Sequence, residues 1–218
     1  MKLKCVLSAT IAMCLVSGSV SADIIVSFGP PVPSPIAVSS TGVIDVFVHS
    51  ENSDMLDAFQ ATVKITPVGA SPAGGVKFTA SQSDSQLIDS TYVFAGNSLS
   101  FNTATPVGTV IASGDTYTGF DATFDFTPIT LSSTGLLLFQ FELTGVTAGS
   151  FQIDFTSATF VKDQSGDLLD PLNVIAFSST PGTITVNDIA EVPEPSTTIF
   201  CGIAAAVAAF GRRRFQIS

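Results

Sequence analysis

Leu137-Leu138-Phe139-Gln140-Phe141-Glu142-Leu143, followed after Gly145 to Gly149 by Phe151-Gln152-Ile153-Asp154-Phe155-Thr156, is the stretch whose reading decides the fold. Leu137, Phe139, Phe141 and Leu143 fall on alternate positions, and so do Phe151, Ile153 and Phe155, with Gln152, Asp154 and Thr156 outward. An extended chain sends successive side chains to opposite faces, so each run predicts a half-buried strand. Working outward, Phe59, Ala61, Val63 and Ile65 alternate with Gln60, Thr62, Lys64 and Thr66 until Pro67 ends the run. Phe120, Ala122, Phe124 and Phe126 repeat the device against Asp121, Thr123 and Asp125, which predicts another strand with its phenylalanines inward.

Further strands are predicted at 23–28, 43–49, 75–79, 91–94, 107–111, 158–161, 174–177 and 183–186, separated by Gly, Pro, Ser and Asn at turn-like spacing. Between residues 23 and 191 no run at helical period exceeds a turn or two, no internal repeat is present, and the Pro-rich stretch 30–35 reads as an ordinary connection. The fold class that follows is all-β, two antiparallel sheets packed face to face as a β-sandwich. Fifteen of the eighteen phenylalanines lie between residues 23 and 191 and form the predicted core. Burying each contributes about 1.5–3 kcal/mol.

Both ends differ from this body. Lys2 and Lys4, the apolar run 5–16 and the small residues Val20-Ser21-Ala22 read as a signal peptide, 1–22, with signal peptidase cutting after Ala22. The alternative is an uncleaved anchor, although the run is shorter than the ~20 residues of a spanning helix. Cys5 and Cys14 fall in this presequence and Cys201 in the tail, so the exported body, 23–191, has no cysteine and no disulfide framework. Lys64, Lys77 and Lys162 are its only basic residues against seventeen acidic ones, a balance of −14. Such a surface repels nucleic acid and anionic headgroups.

The tail, 192–215, holds three signals in order: the motif Val192-Pro193-Glu194-Pro195-Ser196, an apolar segment 197–211, and the cluster Arg212-Arg213-Arg214. The prolines keep Glu194 in extended, readable backbone. The apolar segment predicts a short transmembrane helix of about fifteen residues, below the comfortable span, with the arginines on the cytoplasmic side. This arrangement resembles the PEP-CTERM sorting signal. The resemblance implies that Pro193, Glu194 and Pro195 are read by exosortase, a membrane enzyme that processes such tails. It also implies export across the inner membrane of a Gram-negative bacterium, transient anchoring, and release or transfer to the cell surface in connection with extracellular polysaccharide. A plain anchor that is never cut is the alternative.

Two segments of the body are similar to the sandwiches of cohesins and carbohydrate-binding modules. One is 43–66, where the alternation Ile44, Val46, Val48 leads through an acidic turn to Leu56-Asp57-Ala58-Phe59-Gln60; the other is 135–169, closing on Asp163-Gln164-Ser165-Gly166-Asp167. This similarity implies a jelly-roll-like or cohesin-like sandwich of about nine strands and, since cohesins bind dockerins, a dockerin-like partner or an exopolysaccharide.

Catalysis is not expected. His49 is the single histidine and reads as a strand-end residue, and no Gly-x-Ser-x-Gly, phosphate loop or His-rich metal spacing occurs. No cofactor is expected either; Asp163, Ser165, Asp167 and Asp170 place oxygens at alternate positions as weak calcium candidates, but without the full twelve-residue loop. With no Trp and only Tyr92 and Tyr117, an aromatic sugar platform is not expected, and Thr-x-Thr pairs such as Thr116–Thr118 and Thr183–Thr185 are too short for an ice-binding array. The function read from the residues is that of a non-enzymatic exported envelope or matrix protein. An adhesion module, cohesin-like or carbohydrate-binding, and an unrecognised hydrolase are the alternatives.

Overall fold

A computed structural model describes residues 24–163 and 173–188. The strands are β1 (Ile24–Phe28), β2 (Ile36–Ala37), β3 (Thr41–His49), β4 (Met55–Leu56), β5 (Ala58–Pro67), β6 (Val76–Phe78) and β7 (Gly108–Val110). They continue as β8 (Thr116–Ala122), β9 (Ile129–Thr130), β10 (Leu136–Gly145), β11 (Gly149–Val161), β12 (Val174–Ile175), β13 (Phe177–Thr180) and β14 (Gly182–Asn187). One five-stranded sheet runs β13-β1-β3-β10-β6, and a seven-stranded sheet runs β2-β14-β11-β5-β8-β7 with β12 beside β11. A separate ladder joins β4 to β9.

The expected sandwich is present. Most neighbours are antiparallel, as predicted, but β1 pairs with β13 and β2 with β14 in parallel, so both sheets are mixed. The expected strand 174–177 is divided between the sheets: β12 joins β11 while β13 joins β1. The expected strands 151–156 and 158–161 are one continuous β11, interrupted in its pairing with β5 between Phe155 and Ser157. One extra residue there reverses the alternation, which is why Phe151, Ile153 and Phe160 all reach the core from positions of different parity. Residues 91–94 are a turn held by an isolated bridge from Tyr92 to Leu137, and two short helical turns, Ser85–Ile88 and α1 (Leu99–Thr103), had no periodic signature to announce them.

Two faces differ from expectation. In β10 the register with β3 shifts between Leu137 and Phe139, so Leu138 joins the main core cluster while Leu137, opposite Phe47 and also buried, lies outside that cluster. In β8 the partners of Phe59, Ala61 and Val63 are Asp121, Gly119 and Tyr117. Residues directly opposite one another share a face, so Tyr117 and Asp121 point inward and Phe120 points out, 45% exposed. The strand ends at Ala122, leaving Phe124 and Phe126 exposed in the connection beyond it.

The core is an aromatic lattice between the sheets. The Phe139 ring from β10 meets Phe59 of β5 at 5.8 Å, Tyr117 of β8 at 5.9 Å and Phe155 of β11 at 6.2 Å between centroids, besides its own neighbour Phe141 at 5.5 Å. Offset or edge-on pairs at such separations add about 0.5–1.5 kcal/mol each beyond burial. Gly108 on the edge strand β7 is required by the same lattice, because a Cβ there would overlap the Tyr117 ring. Phe139→Ala is expected to cost about 3–5 kcal/mol in a denaturant titration; a loss under about 1 kcal/mol would show that the lattice is not the main tie between the sheets.

Candidate functional site

The outer face of the seven-stranded sheet is lined by hydroxyl and amide side chains, exposed or half-buried. Its outward positions follow from the register. Thr109 of β7 lies opposite Thr118 of β8, Thr118 opposite Thr62 of β5, and Thr62 opposite Ser157 of β11. The hydroxyls of Thr62 and Thr118 are hydrogen-bonded at 3.1 Å. A second row sets Thr66 beside Gln152 and Gln152 beside Thr183, and Thr185 stands opposite Ser150. Charge on this face is sparse. Lys64 lies opposite Asp154 and reaches the Asp115 carboxylate at 4.0 Å, the one ion pair among the described residues. Phe120 supplies an exposed aromatic next to Gln60.

One end of the face is closed by α1 and held by buried carboxylates. Asp121, fully buried, accepts from the Tyr92 hydroxyl at 2.6 Å, the Ser98 hydroxyl at 2.6 Å and the Ser100 backbone N–H at 2.9 Å. Three donors on one carboxylate offset the desolvation that would otherwise expel it. Burial first, and then the Asp121 carboxylate beside it, push the Tyr92 hydroxyl far above its ordinary value, so it stays protonated and donates. Asp57, also buried, accepts from the Thr123 hydroxyl. Ser98 caps α1 by accepting from the Phe101 N–H, and Leu99 packs on Ala58, Ala122 and Val161 over the outer side of the sheet.

The structure brings together threonines that are far apart in the chain, and the face they make was missed because only pairs within one strand are visible in sequence. Tyr92 and Tyr117 are buried, 2% and 1% exposed, so neither contributes to a surface platform. His49 ends β3, half-buried and paired through its backbone with Ile25. Asp163 is described: its backbone N–H donates to Asn173 Oδ1 and its carbonyl accepts from Asn173 Nδ2. The other calcium candidates, Ser165, Asp167 and Asp170, lie outside the described residues, as do Ala22, Pro193, Glu194, Pro195, Arg212, Arg213 and Arg214. Among the described residues no group of three or more His, Cys, Asp or Glu is placed to hold a metal, and no helix is long and apolar enough to cross a membrane.

Among solved structures, the chain is similar to cohesin modules. The seventh type I cohesin of ScaB from Pseudobacteroides cellulosolvens shares 12% identity over 78% of this chain and 96% of its own, with a TM-score of 0.49. A cohesin module from a family 33 glycoside hydrolase of Clostridium perfringens gives 10% identity over 78% of this chain and all of its own, TM-score 0.47. A type I cohesin–dockerin complex from Clostridium thermocellum gives 13% identity over 78% of this chain and 97% of the matched chain, TM-score 0.44. No family model matches the chain, and no curated protein matches it.

Three surface carboxyls at loop ends tune the response to acid. Asp125 is held below the ordinary carboxylate range by the Asn97 side-chain amide and then the Thr127 N–H, Asp115 chiefly by the Ser113 hydroxyl, and Asp89 by the Thr91 N–H and hydroxyl. A carboxyl whose folded pKa lies below its unfolded value stabilises the fold above the unfolded value and loses that contribution as pH falls through the folded one. The thermal midpoint is therefore expected to decline as pH drops below about 4, with Asp125→Asn flattening part of the decline. A midpoint that rises on acidification over that window contradicts the assignment.

Proposed function

We propose that this chain is a non-catalytic, cohesin-like binding module that grips a protein partner through the outer face of its seven-stranded sheet, displayed outside the cell as an exported envelope or matrix protein. The observation that carries the binding part is the hydroxyl-lined face itself. It is broad and exposed, and it holds few charges in a body whose balance is −14. Depletion of charge is the compositional mark of the centre of a protein interface, and Phe120 supplies an aromatic anchor at its side. A dockerin-like module is the partner class that the cohesin resemblance of 43–66 and 135–169 implies.

Thr118 sits in the middle of the Thr109–Thr118–Thr62 row, so Thr118→Arg places a long charged side chain where the partner must approach. Titration calorimetry against a panel of calcium-loaded dockerin modules is expected to find a partner at or below about 10 μM, and Thr118→Arg to weaken it at least tenfold with the thermal midpoint unchanged. An empty panel, or a variant that binds as well as the parent, removes this reading.

The destination is proposed from the order of signals in the sequence. Signal peptidase removes 1–22; the membrane holds the tail through 197–211 with Arg212, Arg213 and Arg214 inside; exosortase reads Pro193-Glu194-Pro195. Intact mass of the exported protein, made in hosts with and without the sorting enzyme, tests it. A species ending near Glu194 only when the enzyme is present is the expected result, and an identical full-length tail in both hosts counts against processing.

A further inference from the structure

A second surface, away from the threonine rows, has the chemistry of a ligand groove. It has a volume of about 550 Å³ and is lined by Ser53, Asp54, Met55, Phe126, Pro128, Lys162 and Asp163. Met55 is anchored in the β4–β9 ladder, in which it pairs with Thr130 and Leu56 with Ile129. Phe126 is 60% exposed and Met55 48%, an apolar pair left in water.

Both walls are preformed. Phe126 has φ +60° and Ser53 φ +58°, the left-handed region that a bulky side chain seldom occupies. Each turn is pinned by its own hydrogen bonds. Asp125, just before the ring, accepts from the Asn97 side-chain amide at 2.6 Å and from the Thr127 N–H at 3.0 Å, and its own N–H donates to Asn97 Oδ1. On the other wall Ser50 Oγ accepts from the Asn52 and Asp54 N–H groups and donates to Asp54 Oδ2 at 2.6 Å. The backbone that carries the ring is thus held before anything binds, which lowers the ordering cost of binding.

The bonding of the walls narrows the occupant. A peptide laid along a sheet edge needs unpaired main-chain groups. Here they are used internally: Leu131 N–H donates to the Asp54 carbonyl, Asp57 N–H to the Val161 carbonyl and Lys162 N–H to the Asn173 carbonyl. What the groove offers is side chains. The Phe126 ring, Met55 and Pro128 present apolar faces; Asp54 offers a carboxylate; Lys162, which makes no ion pair among the described residues, offers an ammonium. An apolar platform ringed by a few oriented polar groups is the composition of a small-ligand site. A hexose ring matches it, with C–H groups on one face to lie on the phenyl ring and hydroxyls at its rim that donate to a carboxylate and accept from an ammonium. Two carboxylates against one ammonium, in a body of balance −14, disfavour an anionic sugar.

We infer that this groove binds an uncharged hexose oligosaccharide, with Phe126 as the stacking platform and Asp54 and Lys162 as hydroxyl partners. The inference stands apart from the proposed protein partner, which uses another face. Titration of the purified full chain in mild detergent with neutral hexasaccharides of glucose, mannose and N-acetylglucosamine tests it, with hexagalacturonate and a lysine-rich peptide as comparisons.

One neutral hexasaccharide is expected to bind with a Kd of about 0.1–1 mM, Phe126→Ala to weaken it about tenfold, and Asp54→Asn and Lys162→Met about threefold each. Phe126→Tyr is expected to retain binding, and Thr118→Arg to leave it unchanged. Since Phe126 is exposed, its replacement by Ala is expected to keep the thermal midpoint, so loss of binding is not loss of fold. The inference is overturned by any of three results: no neutral sugar bound, tighter binding of hexagalacturonate or peptide, or binding indifferent to Phe126→Ala.

Discussion

The contact on which the molecule depends is the meeting of aromatic rings between the two sheets. With no cysteine between residues 23 and 191, nothing covalent ties one sheet to the other. Phe139 does the tying by touching Phe59, Tyr117 and Phe155, which belong to three different strands opposite it. Because these rings can meet only in one register, they also decide which side of each strand is left for water. The exposed threonine rows are therefore a by-product of the inner packing: once Phe59, Ala61 and Val63 face in, Gln60, Thr62 and Lys64 must face out.

How much of this was legible in the sequence depended on whether alternation held without interruption. β5 read true from end to end, since every inward residue is apolar and Pro67 marks its close. β10 and β11 are legible as strands, but each contains a register shift that a strict period of two does not reveal, so Leu138 joins the core cluster out of phase and Leu137 is buried outside it. The failure at Phe120–Asp121 has a different cause. Hydropathy ranks Phe above Asp for burial, yet three donors gathered from residues 92, 98 and 100 make the carboxylate the buried partner. Those donors come from a segment with no periodic pattern, and their convergence exists only in three dimensions.

The candidate surfaces were less legible than the fold for the same reason. A row such as Thr109–Thr118–Thr62 is assembled from three strands, and the groove around Phe126 joins residues more than a hundred positions apart. In sequence Phe126 reads as core because its spacing from Phe124 continues an apparent strand; the strand in fact ends at Ala122, and Phe126 has a left-handed backbone. Both surfaces consist of residues that composition would dismiss, one as ordinary solvent-facing threonine and the other as misplaced hydrophobic.

The two parallel pairings have a consequence for the order of assembly. β1 acquires one of its two neighbours only from β13, and β2 its sheet partner only from β14, so the earliest strands wait for the latest. However the polypeptide emerges, from a ribosome or through a translocation pore, the seams at the opening of the body stay unsewn until about residue 187 is out. A chain arrested short of that point would offer the bare edges of β1 and β2 to any neighbour able to add a strand.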